Sequence, residues 1–227
     1  MSGANVQTLS RSDADIQIPD GAREFVCNEE DANGSWSSVH KLDGQVILSS
    51  FYQREIPMLR QEMRNGKVHG RHVEYDETGQ PMFLEHYRDG LLHGPTYQWN
   101  RDGALIHQGV FDSGTGVDIY CQDDGKLSES RPLRNGLRQG AERWWASHSE
   151  VYEETWCEKG RKHGIMRRWS DGSLEPGYPR FFIDGLEVKR EVYALAAGLG
   201  RELRPYVPEE DRPERAPPPE YQPIRSD

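Results

Sequence analysis

Between Gly70 and Gly90 the chain reads GRHVEY-DETG-QPMFLEHYR-DG. His72-Val73-Glu74-Tyr75 alternates polar and apolar positions, the pattern of a strand with one buried face. Asp76-Glu77-Thr78-Gly79 is a four-residue turn whose glycine supplies a positive φ. A second strand follows, and Asp89-Gly90 turns the chain again. The unit is a β-hairpin, and the same pattern returns along the chain. A turn glycine preceded by Asn, Asp, Ser or Lys occurs at Gly66, Gly90, Gly114, Gly136, Gly160 and Gly185, at intervals of 24, 24, 22, 24 and 25 residues. A second glycine follows four residues later at Gly70, Gly94, Gly140 and Gly164. In the third unit two residues are missing, and Thr115-Gly116 takes its place.

Large side chains keep the same phase. Tyr75, Trp99, Cys121, Trp145 and Trp169 stand five residues after the second glycine. This row predicts a packing ladder from hairpin to hairpin. The pattern extends upstream in weaker form, through QVILSSFY after Asp43-Gly44 and a strand over Trp36 to Leu42. Fixed-period repeats of this length signify an array in which each unit packs on its neighbours.

The words NGKVHGRHVEYDETG, DGLLHGPTYQWNRDG, NGLRQGAERWW and KGRKHGIMRRWSDG resemble the MORN repeat, in the bacterial variant found in YwqK-family antitoxins. The resemblance covers about Gly44 to Gly185. It implies a single elongated, twisted antiparallel sheet, and neutralisation of a cognate toxin by direct binding. The third unit departs from the pattern and marks an expected bend. The fold class read here is an all-β repeat, an antiparallel hairpin meander in one sheet, with a C-terminal capping α-helix.

Four segments follow: a poorly ordered acidic stretch over 1–35, the repeat array over 36–185, the capping helix over 186–204, and a disordered tail over 205–227. In the third of these, VKREVYALAAGLGREL places Val188, Val192, Leu195, Leu199 and Leu203 at helical spacing. This stripe predicts a cap folded onto the sheet, or a helix offered to a partner. Residues 205–227 hold seven of the 14 prolines and too little apolar surface to fold alone.

Composition narrows the function. Mean hydropathy is -0.89 and the hydrophobic fraction 34%, little material for a deep core. The net charge of -10 argues against nucleic acid and anionic membranes as partners, since both are met by Lys and Arg. Plain solubility is the commoner reason for such a charge, and among partners it favours a basic one. The three cysteines form neither a C-x-x-C nor an even set, so no zinc knuckle or disulfide framework is expected. With neither an apolar leader nor a stretch long enough to span a membrane, a cytoplasmic location is expected.

Three histidines, His69, His93 and His163, occupy one repeat position. Equivalent atoms one hairpin apart lie roughly 9–10 Å from each other, too far to share a metal whose ligands sit within about 2 Å. They are expected to stabilise the turn or cover a neighbouring aromatic, with no metal and no cofactor bound. No nucleophile, phosphate-loop or metalloprotease motif is present, so the chain is not read as an enzyme.

The residues marked for partner binding are Trp144 and Trp156, which stand on rows that are otherwise mostly polar or mixed, with Glu142, Glu150, Glu153 and Glu154 as an acidic rim. Each tryptophan either meets the terminal helix or anchors a partner. The leading function is a non-catalytic protein-binding scaffold, an antitoxin or immunity protein that blocks a basic toxin. The alternatives are a membrane-associated or cytoskeletal MORN scaffold, separable by vesicle sedimentation, and an enzyme with a cleft at the helix–sheet junction.

Overall fold

A computed structural model describes residues 9–200 and 202–224. These fall into two compact units, the chain dividing between Gln108 and Gly109. Every β-ladder is antiparallel, and the strands follow one another in chain order. The hairpin meander and its single C-terminal helix are therefore present as the sequence predicts.

The first sheet is built from β1 (Arg23–Asn28), β2 (Ser35–Leu42), β3 (Gln45–Gln53), β4 (Ile56–Arg64) and β5 (Lys67–Tyr75). It continues through β6 (Pro81–Arg88), β7 (Leu91–Leu92), β8 (Gly94–Trp99) and β9 (Leu105–Phe111). The second begins with β10 (Gly116–Cys121), β11 (Leu127–Arg134), β12 (Leu137–Arg138), β13 (Gly140–Trp145) and β14 (Val151–Glu158). It ends with β15 (Arg161–Ser170), β16 (Ser173–Leu174), β17 (Arg180–Ile183) and β18 (Leu186–Val188).

The expected single sheet is thus two. The ladder breaks between β9 and β10, at the shortened third unit. Asp112 and Thr115 exchange backbone hydrogen bonds at 3.0 and 2.9 Å around Ser113-Gly114, and the pairing goes no further. Gly116 follows at once, where a Cβ would stand 2.7 Å from the Phe111 ring.

The repeat is held by its turns. At Asn65-Gly66 and Asn135-Gly136 both residues have φ between 52° and 77°, the double positive φ of a tight hairpin turn. Four of the turns also lean on the one before. Gly90 N–H donates to Val68 O, Gly136 to Gly114 O, Gly160 to Arg138 O and Gly185 to Lys162 O, at 2.8–3.0 Å. The second glycine has a different task. At Gly164 φ is 140°, and a Cβ there would come within 2.6 Å of the Trp156 Cβ. The ladder is bulged at Trp156, whose side chain lies over the bare glycine.

Two of the repeat histidines, His69 and His163, are turn acceptors. Asp89 N–H donates to His69 Nδ1 at 3.2 Å and Asp184 N–H to His163 Nδ1 at 3.1 Å. Thr115 Oγ1 and Gln139 Oε1 accept in the same way from Asn135 and Lys159 N–H. The position asks for an acceptor, and His, Thr and Gln all provide one.

Each sheet is covered on one face by a terminal segment of its own unit, and here the sequence reading needs correction. Residues 1–35 were expected to be poorly ordered. Residues 1–8 lie outside the described residues, but Arg11–Ala14 form a 3-10 turn. Ala14 and Ile16 are buried against Leu48, Val73, Tyr75, Leu84 and Trp99. Polar groups fix the segment: Arg11 pairs with Asp76 at 2.8 Å, and Tyr75 donates to Asp15 at 2.6 Å. An irregular lid has no period, so pattern reading passes over it.

In the second unit the cap is α1 (Arg190–Gly198) and the segment after it. The helix is shorter than the expected 186–204 and turned to another face. Tyr193 and Ala196 pack with Ile165, Phe181 and Ile183, while Val192, Leu195 and Leu199 are exposed, Leu195 by 67%. Tyr193-Ala196-Ala197 is also an i, i+3, i+4 stripe. It prevails because Tyr193 meets the Phe181 ring at 5.1 Å and donates to Arg204 O at 2.6 Å. The proline-rich tail is not loose either. Up to Ile224 it is described as a strap, with Pro213 and Tyr221 buried.

Candidate functional site

Sheet register sorts the marked residues onto opposite faces. Cross-strand pairing runs Ile119–Ser130–Arg143–Glu154–Arg167 in one row and Tyr120–Glu129–Trp144–Glu153–Arg168 in the next. Neighbours along a strand point to opposite sides, so the two rows occupy different faces.

The first row lies under the strap. Arg167 is 0% exposed and Glu154 2%. Arg143 Nε reaches Glu154 at 2.8 Å, and Arg215 grips the same carboxylate with Nε and Nη2 at 3.0 and 3.1 Å. Arg167 donates from Nε to Asp211 at 2.8 Å, and its η nitrogens sit 3.6 Å from Glu154 and Glu210. Burial alone would raise the Glu154 carboxyl, but the hydrogen bonds and charges of Arg215 and Arg143 hold it at about 2. Trp156 is on this side too, with the Arg204 guanidinium 4.5 Å above its ring.

The second row carries Trp144 on the face away from helix and strap. Tyr120 shares the row two strands away, with Arg131 stacked over its ring at 5.3 Å. Tyr152 sits where the register shifts between Trp144 and Trp145 and is 42% exposed. Burial and the charges of Glu129 and Glu153 push its hydroxyl upward. Glu129 pairs with Arg131 and Glu153 with Arg168 at 3.8 Å. Tyr120 and Trp144 therefore share one cross-strand row with an ion-paired rim, and Tyr152 stands at the bulge beside it.

The expected acidic rim around Trp144 is only partly assembled. Glu153 belongs to it. Glu142 is on the same face, but it is buried and bound by Arg131 and Arg138 at 3.1 and 3.0 Å, so it is not available to a basic partner. Glu154 and Trp156 are on the other face. Glu150 is exposed and stands opposite Glu214 of the strap. The sequence reading missed Tyr120 and Tyr152. Tyr120 was legible, because it lies four residues after Gly116 as Trp144 lies four after Gly140.

A cavity of about 630 Å³ opens at the helix–sheet junction, between β17, β18 and the start of α1. Its lining brings Glu187 and Glu191 beside Arg180, Arg190 and Tyr206, and Glu187 is ion-paired to Arg180. Among the described residues no three His, Cys, Asp or Glu side chains are grouped to hold a metal, and no helix is long and apolar enough to cross a membrane. Comparison of the chain with protein-family models and with curated proteins finds no match.

Two buried groups make stability pH-dependent. His107 is buried, and burial lowers its pKa from 6.5 to about 4. The folded state then binds fewer protons than the unfolded one between these values. Stability is full above pH 6.5 and falls by up to about 3 kcal/mol as pH drops to 4. Glu154, held low, adds a further loss from about 4.5 down to 2. Thermal midpoints measured from pH 8 to 3 should fall from 6.5 downward. His107→Gln should flatten the upper part of that slope and leave the lower part.

Proposed function

We propose that this chain is a non-catalytic protein-binding scaffold whose docking surface is the Tyr120–Trp144–Tyr152 face of the second sheet. One observation carries the reading: the terminal segments take up the ladder faces, and Tyr120 and Trp144 share a row with charged neighbours on the face opposite, with Tyr152 at the adjoining bulge. Aromatic anchors inside a polar rim are the usual make-up of an interaction hot spot. The net charge of -10 favours a partner that is basic overall, and the repeat resemblance adds a protein toxin as the partner class to seek first. Binding of this kind blocks the partner sterically and needs no cofactor.

The test is capture with Trp144→Ala beside the unaltered chain, with the thermal midpoint recorded for both. The expected result is at least a tenfold loss of partner binding at a midpoint within a few degrees. Undiminished capture by the folded variant would contradict the proposal.

A further inference from the structure

The strap holds its face by contacts that another chain could reproduce. Between the anchors Leu203 and Tyr221 only Pro213 is buried. The rest of the hold is polar. Asp211 meets Arg167 Nε at 2.8 Å, and its carbonyl accepts from Trp169 Nε1 at 3.2 Å. Pro213 O accepts from Val151 N–H, and Arg215 N–H donates to Ser149 O, at 3.0 and 2.8 Å. Arg215 clasps Glu154 and lies over the Trp169 ring at 5.3 Å. On the sheet side these are a buried arginine, a buried carboxylate, a tryptophan face, an N–H and a carbonyl.

The fit is incomplete. A cavity of about 260 Å³ remains between Arg143 and Glu154 on the sheet and Arg204, Glu210 and Arg215 above it. Glu150 and Glu214 are set directly opposite each other, a repulsive pairing. Proline-rich segments are pre-set for extended docking on aromatic-lined grooves and lose little entropy when they order.

We propose that this face is a peptide-binding groove which the strap occupies as a built-in competitor, and that its partner ligand is a proline-rich segment with the spacing Asp-x-Pro-x-Arg. The carboxylate meets Arg167, the arginine meets Glu154, and the carbonyl between them meets Val151 N–H. The tethered strap competes at high effective concentration, so the groove opens when the strap's own contacts to Arg167 and Glu154 are removed.

The experiment uses the full chain and a labelled synthetic peptide of residues 205–224 as probe. In the variant Asp211→Asn with Arg215→Gln, Glu154 keeps Arg143 and Arg167, and Arg167 keeps Glu154 and Glu210, so no buried charge is stranded. The expected result is peptide binding at least tenfold tighter than to the unaltered chain, weakening as salt is added. Equal binding, no binding by the folded variant, or a dimer formed by tail exchange would each overturn the proposal. Should the variant fail to fold, hydrogen exchange on the unaltered chain decides. Val151 and Arg215 amides exchanging at least tenfold faster than that of Thr155 support the groove, and equal rates overturn it.

Discussion

Replacing Arg167 by alanine is expected to destabilise the second unit by about 3–5 kcal/mol. Arg167 is fully buried, and its removal leaves Asp211 without the Nε donor and Glu154 without one of three guanidinium neighbours. Breaking one side of a buried ion pair costs far more than the pair contributes, because the charge left behind has lost both water and partner. The measurement is denaturant unfolding of the single variants Arg167→Ala and Asp211→Ala and of the double variant. The double variant should cost clearly less than the sum of the two. Strict additivity would mean that the strap does not lean on Arg167.

The second large effect is expected at Trp99→Ala, again about 3–5 kcal/mol. Trp99 is 1% exposed and belongs to the cluster that joins the first sheet to Ala14 and Ile16. Its ring stacks with Tyr97 at 5.8 Å. Removing it leaves a cavity that the strands on either side cannot close, since their hydrogen-bond ladders fix their spacing. Thermal unfolding should show a lowered midpoint. An unchanged midpoint would mean that the aromatic ladder is not a core.

Both predictions rest on features of unequal legibility in the sequence. The turns were legible, because a positive φ at two successive positions leaves few choices but Asn, Asp or Gly. The ladder was legible through its fixed distance from those turns. The number of sheets was not, although the two-residue deletion before Gly116 marked the place where the ladder parts. The faces of the marked glutamates were within reach, since Glu153 and Glu154 are adjacent on one strand and point opposite ways. The charged row under the strap also left a trace. Three residues after the second glycine stand Val73, Tyr97 and Ile119, and then Arg143 and Arg167. A row that turns from apolar to charged is meeting a polar cover. Composition hid that cover. A segment with seven prolines cannot fold alone, but Asp211 and Arg215 can seat it on a surface that already offers Arg167 and Glu154.

The central claim is that the Trp144 face of the second sheet receives a protein partner. The most direct measurement is amide hydrogen exchange on the chain alone and on its captured complex. Because the docked partner would cover strands from this side, added protection is expected at Tyr120, Glu129, Trp144 and Tyr152, with the segment around Arg11–Ile16 unchanged. Protection confined to other residues, with these four exchanging as they do in the free chain, would contradict the account.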